Sequence, residues 1–92
     1  MPSRAESESL VRSWGFGHVF TWSDGPNAYY PPHSHSGPTT HLILRGQLTI
    51  TFPNEANAEK KTYGAGDRVD VQGSLVHEVW MGDGGCQYVI GE

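Results

Sequence analysis

Apolar and polar residues alternate over short stretches along most of the chain, and turns rich in glycine and aspartate separate these stretches. The clearest case runs from Gln47 to Phe52, where Leu48, Ile50 and Phe52 share one parity and the residues between them are polar. Such a period of two predicts a strand with one buried face. Strands are predicted at 16–22, 39–44, 47–52, 60–63, 68–71, 76–81 and 87–90. This many short strands at this spacing predict an all-β sandwich or barrel.

The N-terminal segment, residues 1–14, has a different pattern. Its first nine residues are polar, and the order Ser3-Arg4-Ala5-Glu6 fits a capping box that would begin a short helix carrying Leu10, Val11 and Trp14. A disordered tail is equally consistent with this composition. We therefore expect a tail or short helix over 1–14 and a single β domain over 15–92.

Size and charge narrow the function classes. The chain has 92 residues, six Lys and Arg residues that are scattered, and a formal net charge of −4. Without a basic stripe, nucleic acid is not an expected partner. No apolar run approaches the roughly 20 residues of a membrane span, so no membrane association is expected either. The single cysteine, Cys86, excludes an internal disulfide, and the cytoplasm is the default compartment.

Histidines are concentrated in one stretch, YYPPHSHSGPTTH, which holds three of the five in the chain. His33 and His35 are two residues apart, so on an extended chain they project from one face. His41 shares that parity, and His77 lies on a separate predicted strand. A barrel that brings His77 opposite His33 and His35 would create a metal site, and imidazole suits Zn, Cu, Fe and Ni. His18 has no clustered partner and is interpreted as a solvated side chain.

Two stretches resemble the conserved motifs of the cupins. PPHSHSGPTTHLILRGQLTITF looks like the first motif, with His33, His35 and Gly46 in matching places, and GAGDRVDVQGSLVHEV looks like the second, with His77 in place. The resemblance covers roughly residues 28–81. It implies a single-domain cupin-type β-barrel of two antiparallel sheets, similar to a jelly roll, over residues 15–92. It also implies that His33, His35 and His77 bind one divalent ion, with Fe, Mn, Ni, Zn and Cu all open.

The motifs also depart from the cupin pattern. Thr39 stands where the family has a metal-binding glutamate, and Met81 stands where an asparagine is common. His41 lies two residues beyond the glutamate place, and two roles stay open for it: a fourth ligand, or a residue of the cavity wall. The side chains expected to line the cavity are Tyr29, Tyr30, Thr39, Met81 and Tyr88.

Neutral imidazoles would leave a divalent ion with its full charge, which favours a small anionic ligand or substrate. The resemblance implies a metal-dependent, dioxygenase-like enzyme, and the alternative is a non-catalytic cupin that binds or senses a small ligand. Whether the protein is an enzyme stays open at this point. A homodimer is also predicted, because the domain is short and Trp80 has the parity opposite to His77.

Overall fold

The computed structural model describes residues 3–92, which form one helix and six strands. The elements in chain order are α1 (Arg4–Ser13), β1 (Val19–Asp24), β2 (Tyr29–His33), β3 (Thr39–Thr51), β4 (Lys61–Gly64), β5 (Arg68–Val71) and β6 (His77–Gly91). The Ser3 side chain accepts a hydrogen bond from the Glu6 backbone N–H at 3.1 Å, so α1 begins as the capping pattern predicts. The first two residues of the predicted N-terminal segment lie outside the described residues. Within residues 3–92, no helix has the length and apolar character needed to cross a membrane.

Two long antiparallel strands, β3 and β6, pair with each other along most of their length and organise the whole sheet. One half of this ribbon is flanked by β2 and β4, and the other half is flanked by β1 and β5. The result is two four-stranded faces, β2-β6-β3-β4 and β1-β6-β3-β5, that share their central strands. The prediction of an all-β antiparallel fold is therefore confirmed. The two faces are parts of one six-stranded sheet, and across residues 3–92 the pairing does not close into a complete ring.

Glycines occupy the places where the shared strands change from one face to the other. The register between β3 and β6 shifts on both sides of Gly46, which has φ +82°, and Gly85 has φ +78°. A Cβ atom on Gly46 would collide with the Gly85 carbonyl oxygen, so the two backbones meet more closely than any side chain permits. The sequence pattern predicted separate strands on either side of each glycine stretch. The structure instead has continuous strands, because the ladder resumes after each irregularity.

The main core lies between the two faces. It contains buried residues from both of them, namely Ile43, Leu48, Ile50, Val69, Val71, Val79, Met81, Cys86 and Tyr88. A second, smaller cluster joins Val11 of α1 to Leu42 and Val89 on the outer surface of the β1-β6-β3-β5 face. The helix thus covers one outer surface, and the space between the faces is left for the main core and a cavity.

Candidate metal centre

Two prolines in an edge strand determine where His33 lies. Among the strands of residues 3–92, β2 pairs with β6 alone, and its register shifts between Tyr30 and His33, the interval that contains Pro31 and Pro32. Proline lacks the N–H that a central strand needs, and an edge strand with a register shift tolerates it. Beyond the shift, His33 lies directly opposite His77 on β6.

The structure brings His33, His35 and His77 together. Each offers one ring nitrogen, and the three atoms all lie within 4.8 Å of one another. The ring centroids of His33 and His77 are 4.2 Å apart, and those of His35 lie 5.1 Å from His33 and 5.3 Å from His77. His77 is buried, His33 is half-buried and His35 is exposed. The cluster therefore has one side open to the cavity and solvent, and its nitrogens are close enough to share one ion.

The second nitrogen of two of these rings is already engaged. His33 Nδ1 donates to the Pro31 carbonyl at 2.7 Å, and His77 Nδ1 donates to the Leu75 carbonyl at 2.9 Å. A carbonyl oxygen only accepts, so in the neutral ring the proton lies on Nδ1 and the Nε2 lone pair is free. Backbone carbonyls are among the usual partners of metal-binding histidines. Burial, together with the charges of His33 and His35, lowers the pKa of His77, which favours the neutral form that a ligand needs.

His41 lies in the same cavity but outside this three-histidine group. Within residues 3–92 its buried Nδ1 has no hydrogen-bond partner, and burial of the ring lowers the pKa of His41 to about 4 against the opposing effect of a hydrogen bond with the Val69 backbone. Smaller contributions to that lowering come from His77 and His35, so His41 is near enough to sense their charge. Of the two roles considered for His41, the geometry favours the cavity wall over direct ligation.

The cavity beside the cluster has a volume of about 340 Å³, near the lower end of the roughly 300 to 1,000 Å³ typical of small-molecule sites. Its wall is largely apolar, formed by Phe20, Trp22, Leu48, Ile50, Val79, Met81 and Ile90. Tyr30, Thr39 and Tyr88 also line it. Glu92 is the carboxylate among the lining residues, and it bonds to His18 Nδ1 at 2.9 Å. The site thus combines a nitrogen cluster with a small apolar chamber.

Tyr29, expected on the cavity wall, is not there. It is exposed, its hydroxyl donates to Glu78, and its ring lies 5.7 Å from that of Trp80 on the outer surface. Neighbouring residues on a strand point to opposite sides, so Tyr29 and Tyr30 could not both face inward. The sequence prediction placed them together because it did not assign β2 as a strand.

Sequence reasoning missed Asp24, which connects the cavity tyrosines. Its two carboxylate oxygens accept from Tyr30 Oη at 2.7 Å and from Tyr88 Oη at 2.6 Å, and Trp22 Nε1 also donates to it at 3.1 Å. Burial and then Asp24 raise the pKa values of both Tyr30 and Tyr88, so both phenols stay protonated. Asp24 lies in a run of turn residues, and no local signal distinguishes it from them.

No family model and no curated protein sequence matches the chain, whereas solved structures do. A cupin-2 domain protein from Shewanella frigidimarina is 19% identical with a TM-score of 0.66, over 80% of this chain and 67% of that one. Oxalate decarboxylase from Bacillus subtilis is 16% identical with a TM-score of 0.69, over 78% of this chain and 19% of the enzyme. A further structure of that enzyme, with the same values, is described by its Mn(II) centres.

A third similar protein is Drosophila melanogaster CENP-C, solved bound to CAL1, at 10% identity and a TM-score of 0.68, over 78% of this chain and 62% of that one. These similarities show that the fold is that of the cupins, as the two sequence motifs predicted. The chain spans about a fifth of the decarboxylase, and at these identities the likeness carries the fold and no particular chemistry.

Proposed function

We propose that this cupin-fold protein binds one divalent transition-metal ion through Nε2 of His33 and His77 and one ring nitrogen of His35, and acts on a small anionic molecule in the adjoining cavity. The convergence of the three rings, with two Nδ1 atoms engaged by carbonyls, carries this proposal. The donor set fits a first-row metal, because imidazole suits Fe, Ni, Cu and Zn. The Mn(II) centres of a structurally similar enzyme support a divalent ion and leave its identity open.

An anionic substrate follows from the charge of this donor set. Three neutral imidazoles leave a divalent ion at +2, whereas a carboxylate ligand would reduce it to +1. At an effective dielectric constant near 20, one unit of charge 4 Å away is worth about 4 kcal/mol. Thr39 stands where the cupin motif has its metal-binding glutamate, and its hydroxyl carries no charge. A bound anion can therefore gain this additional attraction to the ion.

We propose oxygenase chemistry as the reaction class. A redox-active ion held by three protein ligands would supply O₂ activation while keeping positions open for the substrate. The chain contributes a small cavity whose apolar wall holds the substrate body and excludes water, and Tyr30 and Tyr88, whose hydroxyl oxygens can still accept hydrogen bonds.

A non-catalytic ligand-binding module is the second candidate. It is favoured by the scarcity of groups that can move a proton: Tyr30 and Tyr88 already donate to Asp24, and the low pKa of His41 makes it a weak base. Both candidates use the same histidine cluster.

The proposal is tested on protein purified without a histidine tag. We expect about one equivalent of a divalent transition metal by elemental analysis, and a loss of most of it in His33→Ala. His18→Ala is the matched control, since His18 is exposed and lies outside the cluster. The Fe(II)-loaded protein should then consume O₂ in the presence of small carboxylates and enolates. Metal binding without O₂ uptake would favour the binding module, and equal metal content in both variants would reject the site.

We further propose a homodimer that uses the uncovered outer surface around Trp80. That ring packs against Tyr29 and lies under the Lys60 ammonium at 4.2 Å, and it faces away from the cavity. Tyrosine and tryptophan are enriched at protein interfaces. Sedimentation at micromolar concentration should show a species of twice the 10.1 kDa chain mass, and Trp80→Ser should shift it to the monomer. A monomeric wild type contradicts this proposal.

A further inference from the structure

Two buried polar atoms in residues 3–92 have no hydrogen-bond partner, and both belong to residues that line the same cavity. They are Thr39 Oγ1 and His41 Nδ1. Buried polar groups in proteins are nearly always paired, so each exception needs a reason. The neighbouring Thr40 shows what a satisfied threonine looks like here, because its hydroxyl donates to Asp70 at 2.6 Å. The unpaired atoms are therefore a local property of the cavity wall.

The two atoms belong to side chains on the same face of β3. Thr39 and His41 are two residues apart on β3, so their side chains project from the same face. Thr39 is 4% exposed, which leaves its hydroxyl almost no access to bulk water. The His41 ring is neutral near pH 7, with a pKa of about 4, and a neutral imidazole offers one N–H donor and one acceptor. Together they can both donate to and accept from a single oxygen of a ligand.

The pair lies next to the histidine cluster. Thr39 and His35 both line the cavity beside the cluster and also a second, larger cavity beside the loop 34–38, and the charges of His77 and His35 act on His41. A ligand in the cavity beside the cluster can therefore present one group to the cluster and another to β3. The remaining wall is apolar, with Leu48, Val79 and Met81 among its residues.

We infer that Thr39 and His41 form a hydrogen-bonding subsite that recognises the second oxygen of a small carboxylic acid with an apolar body, such as a 2-hydroxy or 2-oxo acid. This inference rests on the proposed metal site, which would hold the carboxylate. The oxygen on the carbon next to the carboxylate is the one that reaches β3, and the apolar body fills the rest of the chamber. Simple carboxylates that lack this oxygen leave both protein atoms unpaired.

The first test compares two acids that differ by one hydroxyl. Zinc-loaded, tag-free protein is titrated with mandelate and with phenylacetate by calorimetry; zinc avoids turnover. We expect mandelate to bind about five- to tenfold more tightly, the ratio that one hydrogen bond of typical net strength provides. Thr39→Val removes the hydroxyl and keeps the shape of the side chain. It should lower the affinity for mandelate to that for phenylacetate and leave the affinity for phenylacetate unchanged. Thr49→Val is the matched control, because the Thr49 hydroxyl pairs with Thr62 outside the cavity.

The second test needs no ligand. Because the Thr39 hydroxyl is buried and unpaired, Thr39→Val should raise the melting temperature of the metal-free protein by a few degrees while weakening mandelate binding. Opposite effects on stability and binding are the signature of a polar group kept for a ligand. A melting temperature lowered by several degrees would show that the hydroxyl has a structural partner, and would overturn the inference.

The outcomes separate the subsite from the metal site. Zinc bound at one equivalent with equal affinity for the two acids overturns the subsite and leaves the metal site standing. A mandelate preference that depends on Thr39 but persists without bound zinc supports the subsite and overturns the metal proposal. Binding of neither acid at millimolar concentration, with zinc bound, overturns the ligand class.

Discussion

His33 on β2 and His77 on β6 each use one ring nitrogen to bond a backbone carbonyl, whereas Thr39 and His41 on β3 each have a buried polar atom without a partner among residues 3–92. Both regions line the same chamber. They differ in whether the fold itself provides hydrogen-bond partners for their side chains.

The difference separates two kinds of recognition. Bonding one nitrogen to a carbonyl orients the ring and directs the other nitrogen's lone pair outward, which prepares a site for a cation. Leaving a hydroxyl and an imidazole nitrogen unpaired costs stability and prepares a site for a ligand that hydrogen-bonds. Each of the following predictions tests one side of this comparison.

The largest effect is expected on metal affinity. His77→Ala should lower it by more than about a hundredfold, because loss of a ligand exceeds the 10- to 100-fold cost of losing a group behind a ligand. His41→Ala should lower it less than about tenfold, since His41 lies outside the cluster. Competition with a chelator of known affinity measures both. Losses of metal affinity of similar size in the two variants would make His41 a fourth ligand, and would contradict the distinction between the histidine cluster and the β3 residues.

The second prediction concerns stability and pH in the metal-free protein. Folding lowers the pKa of His41 from 6.5 to about 4, so the unfolded chain binds more protons between these values. Stability is therefore fully present above pH 6.5 and falls as the pH drops toward 4, by about 3 kcal/mol from this residue. The unfolding free energy, measured by urea denaturation at several pH values in that range, should fall less steeply with decreasing pH in His41→Gln than in the wild type. Identical slopes in both proteins would mean that His41 is not held neutral by burial.

A third prediction removes the charge that satisfies the cavity tyrosines. Asp24→Asn should destabilise the protein by about 2 kcal/mol, because two phenols and an indole lose a charged acceptor. The pKa of Tyr88 should also move down toward its ordinary value, which ultraviolet titration detects. Asp83→Asn removes the same charge from an exposed position of β6 and should change stability by less than about 0.5 kcal/mol. Equal effects of the two substitutions would show that Asp24 acts only through net charge.

The smallest prediction uses two adjacent threonines with opposite roles. Thr40→Val should destabilise by about 1 to 2 kcal/mol, because it removes the donor to the Asp70 carboxylate. Thr39→Val, one residue earlier, should have the opposite sign. Thermal denaturation of the metal-free variants measures both. A shared sign would contradict the contrast between the satisfied and the unpaired hydroxyl.

Much of the fold could be predicted from the chain alone. Alternation gave the positions of the segments 47–52, 68–71 and 76–81, and the capping pattern at Ser3 gave the start of α1. β2 was not predicted, because its two prolines read as a break and only pairing with β6 makes it a strand. The merging of the predicted strands into β3 and β6 depends on Gly46 and Gly85 meeting across the ribbon, which is a contact between distant parts of the chain.

By itself, the sequence determined what is local: the parity of His33 with His35, the parity of Thr39 with His41, and the residue types that can bind a metal or a hydrogen-bonding ligand. The tertiary structure alone decided that His33 faces His77, that Tyr29 points outward, that Asp24 accepts from three donors, and that Thr39 Oγ1 and His41 Nδ1 find no partner among residues 3–92. The physical reason is that parity follows from the geometry of a single strand. Whether a buried polar atom is satisfied depends on which distant groups the packing brings within hydrogen-bond reach.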